Sequence, residues 1–260
     1  MKKVLVAAMA LALVAGGASL AMAAPTISSG IVGSPHDFSA DMPGSTGADG
    51  TWNTTGEICR VCHSPHDKGR STYKGSGVGL LWNHDVSSAT YTLYTSDDIP
   101  AGDIGQPVGN AKLCLGCHDG TVGIDSFDNH TALGSAPTNA VKIGSGTDPF
   151  AEVALRIGGV DGTNGNTLAG THPISADYPV LASDPATRGF NDPTAKTWAD
   201  GELVSDTLEN GMVQCATCHD VHSRESVAPA TGGENYLLRQ AQTVAQGGTA
   251  SGLCLTCHNK

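Results

Sequence analysis

The sequence predicts a mainly irregular, loop-rich fold with short α-helices and little strand, built around a filler other than its own side chains. Three observations predict it. Glycine contributes 34 of 260 residues and aromatic residues only 5% of the chain, so the side chains alone make a thin core rich in turns. Glycine-rich and polar runs at 44–50 and 158–165 read as turns and loops. All eight cysteines fall into four C-x-x-C pairs, each followed directly by histidine: Cys59-Arg60-Val61-Cys62-His63, Cys114-Leu115-Gly116-Cys117-His118, Cys215-Ala216-Thr217-Cys218-His219 and Cys254-Leu255-Thr256-Cys257-His258.

C-x-x-C-H is the spacing of c-type haem attachment. Two thiols three positions apart can each add to one vinyl group of the same porphyrin, and the next residue then lies under the iron as its proximal ligand. The expected fold is therefore a haem-organised tetrahaem cytochrome c whose core is filled by stacked haems. On this reading Cys59, Cys62, Cys114, Cys117, Cys215, Cys218, Cys254 and Cys257 attach four covalently bound haem c groups, and His63, His118, His219 and His258 are proximal ligands. A disulfide framework gives no reason for histidine to follow every pair. Zinc ribbons have no need of it either, and thioredoxin-like redox pairs do not come four to a chain.

Residues 1–23 read as a secretory signal: Lys2 and Lys3, an apolar stretch from Val4 to about Val14, then Ala21-Met22-Ala23 before Ala24-Pro25. Gly16, Gly17 and Ser19 interrupt the stretch before it reaches the roughly 20 residues of a membrane span. No later segment is apolar enough to span, and no cysteine stands at the cleavage point to accept a lipid. The expected mature chain, 24–260, is one tetrahaem domain, exported to the cell surface or beyond, with the periplasm as the alternative.

That domain reads as an internal duplication. Cys59 to His66 is followed by Leu80-Leu81 and then Leu113 to His118; Cys215 to His222 is followed by Leu237-Leu238 and then Leu253 to His258. The first haem-pair repeat covers about 55–130, the linking segment about 131–210 and the second repeat about 211–260. The correspondence breaks where Asn83-His84 meets Arg239-Gln240, so the second pair takes a ligand from elsewhere, His172 or His36. Short helices are expected at the four motifs and around 199–208. The alternation of Thr90-Tyr91-Thr92-Leu93-Tyr94-Thr95 predicts a short strand. Residues 161–166 depart from the calcium-loop pattern and read as a plain turn.

Methionine is the usual rival to histidine as sixth ligand, but Met1, Met9 and Met22 leave with the signal, and only Met42 and Met212 remain for four irons. Histidines are better supplied, so bis-histidine ligation at every haem is the economical reading. The distal candidates are His66, His84, His172, His222 and His36. His66 and His222 each follow a proximal histidine by three, which on a helical turn places the rings on one face, about 5–6 Å apart between Cβ atoms; one could hold its own haem while the other reaches the adjacent one. His84 lies in an apolar run, His172 in the linking segment and His36 on the N-terminal arm. His130 follows an Asp-rich turn and is left to solvent.

A net charge of −11, with no basic block, argues against a nucleic-acid partner. Catalysis would need an open axial position and a pocket of reactive side chains. The histidine surplus argues against an enzyme such as a multihaem reductase and for closed sites that pass electrons.

The strings C-R-V-C-H-S-P-H, L-W-N-H, L-C-L-G-C-H-D-G-T-V, T-H-P-I and C-A-T-C-H-D-V-H resemble the doubled-CXXCH multihaem cytochromes, in particular their tetrahaem, filament-forming extracellular kind, over essentially 31–260. The resemblance implies bis-histidine ligation throughout and a homopolymer in which haems of successive subunits form one wire with alternating parallel and T-shaped contacts. It also implies that one haem can take its distal histidine from the neighbouring subunit, with His36 as the candidate. Implied partners are other multihaem cytochromes as electron donors and a terminal acceptor such as a metal oxide. A monomeric periplasmic carrier is the alternative.

Overall fold

The computed structural model describes residues 31–32, 34, 36–39, 53, 56–64, 81–97, 104–127, 142–143, 157, 166–178, 189–222 and 237–259. The signal segment 1–23, His66, His130 and the 161–165 part of the turn at 161–166 lie outside them. A helical turn falls on each cysteine motif: a 3-10 turn at Cys59–Val61, helix α1 at Gly109–His118, α2 at Cys215–Cys218 and α3 at Gly252–Cys257. One helical turn brings residues three apart to the same face, so the two thiols of each pair point one way. Further 3-10 turns lie at Val204–Thr207 and Val244–Gln246. The strands β1, Ala176–Asp177, and β2, Met212–Val213, pair antiparallel with Ala176 opposite Val213. Among the described residues no helix is long and apolar enough to cross a membrane.

Two expected elements are smaller than their sequence suggests. The alternating run at 90–95 makes a single bridge, Thr92 to Thr167, instead of a strand. At Tyr91 the side chain of Gln106 occupies the edge that a neighbouring strand would use: its Oε1 accepts from Tyr91 N–H at 2.8 Å and its Nε2 donates to Tyr91 C=O at 2.8 Å. Around 199–208 only Val204–Thr207 is helical. There Trp198 N–H donates to Glu202 C=O and Val204 N–H to Lys196 C=O, which folds the segment into a tight hairpin.

The duplication is visible in the backbone. In the first copy Ser64 N–H donates to Leu81 C=O and Asn83 N–H to Cys62 C=O; in the second Asp220 N–H donates to Leu237 C=O and Arg239 N–H to Cys218 C=O. His63 bridges to Trp82 and His219 to Leu238. Leu81 and Leu237 share a left-handed backbone, with φ of 52° and 53°. Even the position where the two sequences part keeps one contact. Asn83 Nδ2 donates to Arg60 C=O at 2.6 Å, and Arg239 Nε donates to the equivalent Ala216 C=O at 2.9 Å. Among the described residues Tyr91, Leu115 and Leu168 are buried together, with Ala89, Leu93, Ile157 and Ile174 packed against them.

Candidate haem sites

Helix α1 carries the second motif and α2 the third, and the two meet: Asn110 Oδ1 in α1 accepts from Ala216 N–H in α2 at 3.3 Å, and Cys114 lies beside Cys215. Cys62 of the first motif lies close enough to Cys117 and Cys114 to feel their charge, and Cys218 of the third close enough to Cys257 and Cys254. The four motifs thus follow one another in chain order. No disulfide joins any of the eight cysteines. Burial is the main reason that Cys117 and Cys218 are pushed up to about 12 and Cys257 to about 11, with Cys62 also raised. Cys59 and Cys254, at the two ends of the series, are exposed.

Among the described residues, three of the four motif histidines have a second imidazole beside them. His63 and His222 have ring centroids 6.1 Å apart, His118 and His36 5.9 Å, His258 and His172 6.4 Å. Two imidazoles bound through nitrogen to opposite sides of one metal ion, with bonds of about 2 Å, have centroids about 6 Å apart. Ring pairs in ordinary contact reach similar distances. What sets these three apart is membership: each joins one motif histidine to one non-motif histidine from a distant stretch of chain.

Neighbouring groups orient two of these rings. His172 Nδ1 lies 3.0 Å from Pro173 C=O; a carbonyl only accepts, so Nδ1 is the donor and, in the neutral tautomer, Nε2 carries the lone pair. Burial, then the charges of His118, His219 and His222, lowers the pKa of His36 to about 3, which keeps it in the neutral form that ligates metal. Phe38 packs edge-on against His36, Trp82 edge-on against His63, and Phe190 tilts over His258. His36 Nδ1 and Trp82 Nε1 are buried with no hydrogen-bond partner. A buried polar group left so costs about 1–3 kcal/mol, and both stand beside a motif histidine. Thiol pairs, paired imidazoles and orphaned polar atoms at the same places together fit a haem with two axial histidines.

His84 sits differently. It is 1% exposed, with Nδ1 2.6 Å from Asp85 C=O and Nε2 2.9 Å from Gly123 C=O. A neutral imidazole has one N–H to give, and no lone pair here points at open space. Desolvation lowers its pKa while the two carbonyls act against that. Its ring touches Cys117 Sγ, 3.4 Å from Nε2. Of the other candidates, His66 lies outside the described residues. The shared helical face expected for His219 and His222 is absent, because α2 ends at Cys218 and His219 is extended (φ −115°, ψ 139°), drawn into its bridge with Leu238. His222 crosses to the first motif instead. In the second copy the imidazole beside His258 belongs to the linking segment, as His172.

Sequence reasoning did not single out Asn191, Gln214 or Glu209. Asn191 Nδ2 faces the carbonyls of Leu255, Thr256 and His258 at 3.0, 3.1 and 3.3 Å, and so holds the end of α3 from more than sixty residues upstream, with no local signal. Gln214 stands directly before Cys215, which could have marked it. No protein-family model matches the chain, and no curated protein matches it.

Proposed function

We propose that the chain is a tetrahaem c-type cytochrome of the doubled-CXXCH kind that transfers electrons and catalyses no reaction. The observation that carries the proposal is the set of three pairs, each of one motif and one non-motif histidine. His63 with His222 would hold the haem on Cys59 and Cys62, His118 with His36 the haem on Cys114 and Cys117, and His258 with His172 the haem on Cys254 and Cys257. His219 would take His66, since both nitrogens of His84 face carbonyls. Haem c supplies a one-electron iron couple when bound. The chain's part is to occupy both axial positions, exclude substrate from the iron and line up four attachment sites in order, the first and last reaching the surface.

Exposed ends favour an end-to-end relay, and with it a homopolymeric extracellular filament fed by other multihaem cytochromes and discharging to an acceptor such as a metal oxide. Within that filament we assign His36 to its own chain, because its ring lies against His118 of the same chain. A soluble periplasmic carrier would use the same sites.

The test is the natively secreted protein. Pyridine haemochrome and intact mass should report four haems per chain, and the spectrum should be low-spin and six-coordinate; fewer haems or an open high-spin site would sink the assignment. Cryo-electron microscopy of the same sample separates fibres with an unbroken haem chain from dispersed monomers. His36→Ala should leave one haem in four without its low-spin signature, and His84→Ala should leave all four intact.

A further inference from the structure

The electron path proposed above must pass from the second haem to the third, that is, from α1 to α2, and the structure shows what fixes these two helices against each other. Helix α1 starts at Gly109 with no side-chain cap of its own; the preceding residue, Val108, is extended. Its cap comes from Glu209, which accepts from Asn110 N–H at 2.7 Å across 99 residues of chain. The carboxylate lies so close over Gly109, whose φ is +53°, that a Cβ there would collide with it. Only glycine fits that backbone without strain beneath such a group. The return contact comes from the same turn of α1: Asn110 Oδ1 accepts from Ala216 N–H, in the first turn of α2, at 3.3 Å. Ser175 adds a third tie, since its Oγ accepts from Val108 N–H at 3.0 Å and donates at 3.1 Å to Oε1 of Gln214, the residue before α2.

A carboxylate at a helix N-terminus gains from the helix dipole and from the orphan N–H groups there. That explains a cap, but not one drawn from the segment that leads into the next haem motif. Each helix here satisfies an amide of the other's neighbourhood, and the cysteines they carry, Cys114 and Cys215, are neighbours. We propose that Glu209 and Asn110 are positioning residues for electron transfer: through this reciprocal cap they set the spacing and tilt between the second and third haems. The proposal rests on the haem reading. It predicts that loosening the seam changes the coupling between haems without removing any haem.

The test uses the full, haem-loaded chain with Glu209→Ala, Asn110→Ala and the conservative Glu209→Gln, which keeps one acceptor oxygen. Haem count by pyridine haemochrome comes first. Circular dichroism in the Soret band, whose couplet reports the mutual orientation of neighbouring haems, comes second. Glu209→Ala should keep four low-spin haems and lose about a third or more of the couplet, positional errors of an ångström being enough to matter at such sites; Glu209→Gln should restore most of it. A purely structural cap would lower the unfolding temperature of the alanine variant and leave the couplet unchanged, and that result overturns the proposal. If Glu209→Ala fails to accumulate, Asn110→Ala, which removes only the return contact to Ala216, should show the same change at smaller size. A wild-type chain without haem would instead sink the functional reading itself.

Discussion

The two copies of the repeated unit share a backbone frame and differ in what covers it. In both, the residue after the histidine bonds to a leucine carbonyl, and a side chain two residues beyond that leucine bonds back to the carbonyl after the first cysteine. Yet at the same place in the L-C-L-x-C-H string, Leu115 is 0% exposed and Leu255 is 44% exposed. The first copy lays its second motif under Tyr91, Leu168 and Ile157; the second leaves its own at the surface. The motif therefore sets the local turn, while depth is set by whichever segments return over it. Two chemically equivalent candidate sites end up in different dielectric surroundings, which on the haem proposal is a lever on potential that the motif itself does not carry.

The sharpest test of that contrast is a matched pair. Leu115→Ala should destabilise the haem-loaded protein by about 2–5 kcal/mol, and Leu255→Ala by no more than about 0.5 kcal/mol, read from loss of Soret circular dichroism in denaturant. Equal losses would mean that the two surroundings do not differ as described. Next in size are the left-handed leucines. Leu237 is 3% exposed and Leu81 40%, so Leu237→Gly should lose about 2 kcal/mol of burial, whereas Leu81→Gly should be close to neutral, because relief of the left-handed backbone offsets the flexibility added to the unfolded chain.

The smallest effect concerns the position where the copies diverge. Arg239 adds to its carbonyl contact three acidic neighbours, Glu202 at 2.6 Å, Asp200 at 3.6 Å and Asp220 at 3.7 Å. Arg239→Asn should keep the contact, as Asn83 does in the first copy, and lose the ion pairs, at a cost of about 0.2–1 kcal/mol that shrinks in high salt. Asn83→Ala should cost about 0.5–1.5 kcal/mol at any salt concentration. A salt-dependent loss at Asn83 would erase the distinction.

Much of this frame was legible in the sequence, because C-x-x-C-H and the Leu-Leu element are short strings whose geometry is local. The equivalence of Asn83 and Arg239 was not: the residues look unlike, and what they share is one N–H aimed at one carbonyl. The pairing of His36 with His118 and of His222 with His63 was hidden for another reason, since it depends on long-range closure, and the local helical argument for His222 failed where α2 stops one residue short of His219. Glu209 gave no signal at all, because the helix it caps lies 99 residues earlier. The strand expected at 90–95 misled because alternation reports a half-buried edge and cannot tell a neighbouring strand from the side chain of Gln106.

The linking segment invites being read as a spacer between two modules, but His172, Ser175, Asn191 and Glu209 all belong to it, and each completes something in a repeat. Stripped of the linking segment, the chain would not fall into two working halves. The part from 211 onward would lack the imidazole beside His258 and the amide that holds the end of α3, and the part before 131 would lack the carboxylate over Gly109. A doubled sequence has here become an indivisible one, so attempts to shorten it, shuffle its halves or splice one copy into another chain should carry residues 166–210 along with whichever half they keep.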